Sequence, residues 1–99
     1  MITIYVYVLD TLADWELGPV TSELNSGRFF KEDAAPLALK TVSHSKEAVQ
    51  TMGGMTILPD CLIDDIRLDE KSVLLLPGAD TWNDSKHYAI IEKASALLA

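Results

Sequence analysis

The chain has 99 residues, 48% of them hydrophobic, and a net charge of −7. Apolar material on this scale suffices for one small core, so we predict a single domain of marginal stability. The negative charge would repel the phosphates of nucleic acids and of anionic membranes, which excludes both as favoured partners.

Cysteine usage and the N-terminal segment indicate a compartment. The single cysteine, Cys61, excludes an internal disulfide and a cysteine-rich metal centre. The N-terminus has no basic segment and no small-residue cleavage site, so no signal peptide is predicted. These features fit a reducing, cytoplasmic setting.

The first predicted elements are a strand and a helix. Residues 2–9 are β-branched or aromatic and apolar on both faces, which predicts a central strand covered by helices on both sides. Thr11 and Asp14 have the spacing of a capping box, which predicts the start of a helix. Gly27 should end that helix, and Pro19 should kink it or shift its start.

The middle of the chain carries a second strand and a hairpin. After a polar connection at 31–36, residues 37–42 alternate between apolar and polar, as a strand does. Two short β-prone runs, 49–52 and 55–58, surround a Gly-Gly pair at 53–54. This pattern predicts a β-hairpin.

The last third of the chain returns to a strand and a helix. Residues 62–66 are predicted to form one helical turn. Residues 72–76 form an apolar run that predicts another buried parallel strand. A polar loop at 80–84 follows, and residues 85–98 have apolar positions at helical spacing.

This order of elements predicts an α/β fold, specifically a flavodoxin-like doubly wound parallel sheet with a β-hairpin insertion. The pattern is unfinished, because the apolar strand 72–76 would keep an open edge. We therefore expect the sheet to be completed by a C-terminal segment or by a second copy in a homo-oligomer.

Three stretches, in this order along the chain, carry a family resemblance. They are Asp14-Trp15-Glu16-Leu17 after the first strand, Pro59-Asp60 followed by Asp64-Asp65, and Leu75-Leu76-Pro77-Gly78-Ala79. Together they resemble the ThiJ/PfpI family of class I glutamine amidotransferase-like proteins, which includes the Parkinsonism-associated deglycase. Ala79 departs from the family pattern, which has a second glycine at that place.

The resemblance implies that residues 1–99 are the N-terminal portion of one ThiJ/PfpI-like domain. The family's nucleophilic cysteine lies on a strand-to-helix elbow after the next strand, a position that this chain does not contain. We therefore expect no activity from these residues alone. In complete form the protein would be a cysteine-dependent hydrolase, amidase, deglycase or glyoxalase, or a non-catalytic stress-response chaperone or redox sensor.

The resemblance also assigns candidate site residues. It places the carboxyl group of Glu16 beside the nucleophile's sulfur, where it could share a proton with a thiol. The backbone N–H groups of Gly78 and Ala79 would form an oxyanion hole. Apart from the resemblance, Trp15 and Trp82 flank the two loops that would frame a pocket and could line it for a small-molecule or peptide substrate, although packing is the favoured role for both. No cofactor or metal is implied.

The remaining reactive side chains are predicted to be structural. The acidic neighbours Asp60, Asp64 and Asp65 should raise the pKa of Cys61 and make it a poor nucleophile, and the residue should lie in a loop. His44 and His87 have no evident partners and are expected to be solvated.

Two other doubly wound modules fit the sequence less well. A flavin phosphate loop should be rich in hydroxyl groups and free of acids, whereas residues 10–14 include two aspartates and Glu16 follows closely. A receiver domain needs an acceptor aspartate at the end of its central strand. The best strand here ends at Leu76-Pro77-Gly78 instead.

Overall fold

The computed structural model describes residues 2–27, 37–67 and 72–98. The predicted polar connection at 31–36 lies outside these ranges. Two 3-10 turns, Ile63–Asp65 and Ser85–His87, accompany the regular elements. The strands and α-helices are β1 (Ile2–Tyr7), α1 (Asp14–Ser26), β2 (Leu37–Ser43), β3 (Val49–Gln50), β4 (Thr56–Ile57), β5 (Cys61–Leu62), β6 (Ser72–Leu75) and α2 (Tyr88–Leu98).

A parallel sheet with the strand order β5-β2-β1-β6 forms the centre of the described structure. Ile4 of β1 pairs with Leu39 of β2 on one side and with Val73 of β6 on the other. The predicted central position of the first strand is therefore confirmed. Its second half is buried on both faces, as Val6 and Tyr7 show.

Alternate residues of β1 face different layers, because side chains along a strand point to opposite faces. Val6 and Leu17 of α1 line one cavity of about 330 Å³, together with residues of the β3–β4 hairpin. Tyr7 points to the other face, where it contacts Trp82 and His87 just before α2. The fold is therefore a flavodoxin-like, doubly wound α/β sheet, as predicted.

The β3–β4 hairpin forms a separate two-stranded sheet, with Val49 opposite Ile57. It turns at Gly54, whose φ of +87° favours glycine. The hairpin is also tied to the loop after β1, since Thr11 N–H donates to the Gln50 carbonyl over 2.8 Å. The predicted insertion is confirmed, with strands shorter than expected.

The start of α1 differs from the prediction. Its N-cap is Ala13, which makes no side-chain capping bond. Thr11, the predicted cap, has a positive φ of 67° and accepts a hydrogen bond from Asp80 N–H instead. Pro19 lies inside α1, whose start remains at Asp14 and is not shifted by the proline. The predicted stop is confirmed, because Gly27 adopts the left-handed conformation with φ of 62°.

Three further details correct the sequence reading. β6 is an edge strand of the described sheet, so Val73 is 44% exposed and the strand is not buried as predicted. Cys61 lies in the short edge strand β5 rather than in a loop. The last helical segment begins as the 3-10 turn Ser85–His87 before α2 continues it.

Among the described helices, none has the length and apolar character needed to cross a bilayer.

Candidate functional site at the strand switch point

The strand order creates a crevice between β1 and β6. After β1 the chain moves to β2 and β5 on one side, then returns to place β6 on the other side of β1. In open α/β sheets, ligands bind outside the carboxyl ends of the strands where the order reverses in this way. The segments that follow β1 and β6 therefore frame the expected site.

Glu16 and Gly78 meet across this crevice. The Glu16 Oε1 atom, in the first turn of α1, accepts a hydrogen bond from Gly78 N–H at 2.9 Å. A side chain at position 78 would begin 2.6 Å from that oxygen, so only glycine permits the contact. The Gly78 carbonyl in turn accepts the Ala13 N–H at 2.8 Å. The resemblance correctly placed these residues together.

The exposure of Glu16 differs from what its proposed chemistry would need. We expected a partly buried carboxyl group beside the nucleophile's sulfur, but Glu16 is exposed in the described structure. In the described sheet β6 is the edge strand, so no further described strand lies on this side of the crevice.

The loop after β6 is held along its length by hydrogen bonds to the loop after β1 and within itself. Three of them are Asp80 N–H to Thr11 Oγ1 at 2.9 Å, Thr81 Oγ1–H to the Asp10 carbonyl at 2.7 Å, and Trp82 Nε1–H to the Pro77 carbonyl at 2.8 Å. Within the described parts of the chain, the Ala79 N–H has no hydrogen-bond partner. It is therefore a fixed donor available to an anionic oxygen.

The two tryptophans occupy different environments. Trp82 is half-buried, stacks on Tyr7 with ring centroids 5.5 Å apart, and uses its indole N–H on Pro77. Trp15 projects from α1 and is 64% exposed. Trp82 therefore packs within the loop after β6 and against β1. Trp15 makes neither of these contacts.

His87 is the residue that sequence reasoning missed. It is fully buried, and its Nδ1 atom lies 2.6 Å from the Tyr7 hydroxyl oxygen, so the prediction of a solvated histidine is wrong. Its ring lies 5.5 Å from the rings of Trp82 and His44. A signal was present in the sequence, because positions 87, 90, 91 and 94 have the spacing of one helix face.

Burial dominates the electrostatics of this cluster. It lowers the pKa of His87, with the nearby His44 and Lys86 acting in the same direction. Burial likewise lowers the pKa of the half-buried His44. It raises the pKa of Tyr7 to about 12. At neutral pH both imidazoles and the phenol are therefore uncharged.

Cys61 lies away from the crevice. It lines a separate polar cavity of about 510 Å³ with Tyr5 and Lys40, and its thiol donates to the Thr41 carbonyl at 3.6 Å. The pKa of the thiol is raised, as predicted, but burial is the main cause and Asp65 adds to it. Among the described residues, no three His, Cys, Asp or Glu side chains are grouped so that they could hold a metal ion.

These observations define a class: a doubly wound α/β protein with a candidate site at the switch point of its sheet. Residues 2–95 match the model of the DJ-1/PfpI family, and the chain belongs to that family. The resemblance seen in the sequence is thereby confirmed.

Individual relatives show how much of the family domain is present. The chain is 43% identical over 95 residues to a Bacillus subtilis (strain 168) protein named uncharacterized protease YoaZ, and the match covers 96% of this chain and 45% of that protein. The crystal structure of a thiJ/pfpI family protein from Bacillus anthracis superposes with a TM-score of 0.92 at 43% identity, covering 99% of this chain and 47% of that one.

A more distant structure supports the fold alone. The DJ-1 superfamily protein from Agrobacterium tumefaciens superposes with a TM-score of 0.73 at 18% identity, covering 97% of this chain and 50% of that protein. The chain thus spans about half the length of the relatives that it matches.

Proposed function

We propose that this chain contributes one half of the active site of a cysteine-dependent hydrolase, whose nucleophile comes from a segment outside residues 1–99. The observation that carries the proposal is the Glu16–Gly78 hydrogen bond of 2.9 Å at the switch point. The Ala79 N–H beside it, which has no hydrogen-bond partner among the described residues, adds an oxyanion donor. The printed name of the Bacillus subtilis relative, a protease, supports a hydrolase over other classes.

In the proposed reaction, a thiolate attacks the carbonyl carbon of a peptide or small-molecule substrate. The C–S bond forms as the carbonyl π electrons move onto oxygen, and Ala79 N–H stabilises the resulting oxyanion. One such donor contributes roughly 3–4 kcal/mol to the transition state. The thiolate forms as the nucleophile's thiol gives its proton to Glu16. Collapse of the intermediate breaks the bond to an amine or alcohol, and this leaving group takes that proton from Glu16. Water then hydrolyses the thioester, which releases the acid and regenerates the thiol.

Cys61 does not fit the role of nucleophile. Its raised pKa keeps the thiol protonated at neutral pH, and it lines a different cavity from the one at the crevice. The chain contains no other cysteine. The reactive sulfur of the proposed enzyme must therefore come from another segment.

The open edge of the sheet supports completion by such a segment. Val73 and Leu76 are 44% and 45% exposed along and just after β6, and Tyr88 and Ile91 of α2 are also exposed. A parallel strand beside β6 would cover apolar surface and pair the free edge. We propose a C-terminal segment as the occupant, with a homo-oligomer as the alternative.

The test is a fusion of residues 1–99 to the part of the Bacillus subtilis relative that lies beyond the matched region. The fusion would be assayed for hydrolysis of fluorogenic peptides and for turnover of small aldehydes and glycated amines. We expect activity from the fusion and none from residues 1–99 alone. Glu16→Gln should lower kcat roughly 100-fold, the lower range for a lost proton-transfer group.

Cys61→Ser is the matched control and should leave kcat unchanged. Equal activity of the Glu16→Gln variant and the parent fusion would refute the role of Glu16. A fusion whose added thiol reacts readily with peroxide, but which turns over no carbonyl substrate, would favour the redox-sensor alternative.

A further inference from the structure

Tyr7 and His87 form a buried pair with a defined direction of hydrogen bonding. The Tyr7 phenol is fully buried and protonated at neutral pH, so its hydroxyl needs an acceptor. Among the described residues, its hydrogen-bond partner is Nδ1 of His87, at 2.6 Å. Nδ1 therefore accepts, and the proton of the neutral imidazole resides on Nε2.

The pair is linked to the loop of the candidate site through Trp82. The Tyr7 ring stacks on the Trp82 indole at 5.5 Å with an interplanar angle of 28°. The His87 ring meets the same indole edge-on at 5.5 Å. Trp82 Nε1–H then donates to the carbonyl of Pro77, the residue directly before Gly78. Rotation of the Tyr7 ring would therefore disturb the Pro77–Gly78 peptide group, which carries the Gly78 N–H.

Placing a histidine at position 87 has an energetic cost. The Nε2 atom of His87 is buried and has no hydrogen-bond partner among the described residues. A leucine of similar size at this place would avoid an unpaired buried donor. The imidazole does one thing that leucine cannot, since it accepts the hydrogen bond of the Tyr7 hydroxyl.

We infer that His87 is a positioning residue for the proposed reaction: through Tyr7 and Trp82, it holds the Pro77–Gly78 peptide so that the amides of Gly78 and Ala79 keep their direction. The inference rests on the proposed function for its catalytic consequence. The positioning itself is a property of the residues described above and can be measured without catalysis.

The experiment compares His87→Leu, His87→Asn and Tyr7→Phe. Asparagine can place an acceptor near the position of Nδ1, whereas leucine cannot. Hydrogen exchange at the Gly78 and Ile4 amides is followed by NMR in the 99-residue chain, and kcat and KM are measured in the fusion. Tyr5→Phe is the matched control, because the Tyr5 hydroxyl makes no hydrogen bond among the described residues.

His87→Leu and Tyr7→Phe should each speed exchange at Gly78 about tenfold, the effect of losing one neutral hydrogen bond. Exchange at Ile4 should not change. In the fusion, kcat should fall by a similar factor while KM is retained, and His87→Asn should restore both kcat and slow exchange.

Unchanged Gly78 exchange in both variants would overturn the inference. Equal acceleration at Gly78 and Ile4, without rescue by asparagine, would also overturn it, since that result describes a general loss of stability. A fusion with no activity in any form would refute the proposed function, while the exchange data would still decide whether His87 positions the loop.

Discussion

A side chain at Gly78 would begin 2.6 Å from Oε1 of Glu16, closer than two such atoms can approach. The contact across the crevice thus requires that position 78 has no side chain and that position 16 has a carboxylate. Gly78 does not have a positive φ, so the restriction comes from contact and not from backbone strain.

Gly78→Ala should therefore displace the Glu16 carboxylate and break its bond to the amide. Because Glu16 is exposed, we expect a stability loss of only about 1 kcal/mol, that of one hydrogen bond. Activity of the fusion should fall much more than stability does. Urea unfolding and kcat are the measurements.

Gly18→Ala is the control for this substitution, because a side chain at position 18 would meet no atom within 4 Å. It lies within α1, so alanine should stabilise the chain by up to about 1 kcal/mol through helix propensity. If both alanine variants behaved alike, the contact between Glu16 and position 78 would not matter.

Asp14 should make stability depend on pH in the acid range. The Thr51 side chain and the Gly53 N–H, which donates to Asp14 Oδ1 at 2.9 Å, lower the pKa of this carboxyl group. In the unfolded chain the pKa would be about 3.9, so the stabilising effect is complete above that value and is lost as pH falls through the lower folded pKa. Urea midpoints measured between pH 5 and the acid limit should show this decline.

Asp14→Asn should flatten that decline, and Thr51→Val, which removes the largest cause of the shift, should flatten it in part. Identical acid profiles for Asp14→Asn and the parent chain would show that Asp14 is not the group responsible.

His87 should make stability depend on pH nearer neutrality. Its folded pKa is lowered by burial, and by His44 and Lys86, against opposing effects of Asp84 and Asp10. Below the unfolded pKa of about 6.5, the unfolded chain binds a proton that the folded chain resists. The free energy of unfolding should therefore fall as pH drops below that value, until the folded pKa is reached.

The measurement for His87 is the urea midpoint at pH 8 and at pH 5.5. His87→Asn should reduce the difference between the two, and a His44→Asn background should remove the contribution of the second histidine, whose pKa is also lowered. A parent chain with the same midpoint at both pH values would contradict the assignment of His87 as a buried neutral imidazole.

Ile90 and Ile91 of α2 form a matched pair for testing the packing of this helix. Ile90 is fully buried, whereas Ile91 is 44% exposed. Ile90→Ala should cost roughly 2–5 kcal/mol because it leaves a cavity in the core. Ile91→Ala should change the free energy of unfolding by no more than about 0.5 kcal/mol, as is usual for surface substitutions. Similar costs for both would mean that α2 is rotated from the described orientation.

The sequence by itself determined the local elements and their order. β1 was recognised because it is apolar on both faces, the end of α1 because Gly27 tolerates a left-handed conformation, and the hairpin because glycines occupy its turn. These signals lie within a few residues of the structure that they produce. The meeting of Glu16 and Gly78 was also foreseen, but through the family resemblance rather than through any local pattern.

The tertiary structure alone decided which side chains became partners. The spacing of Thr11 predicted a helix cap, but its hydroxyl oxygen accepts a hydrogen bond from the Asp80 N–H of a distant loop. The only local signal for the burial of His87 was its place on an apolar helix face. Its hydrogen-bond partner, Tyr7, lies 80 residues away along the chain. Such contacts depend on how the strands are ordered in the sheet, and no short stretch of sequence encodes that order.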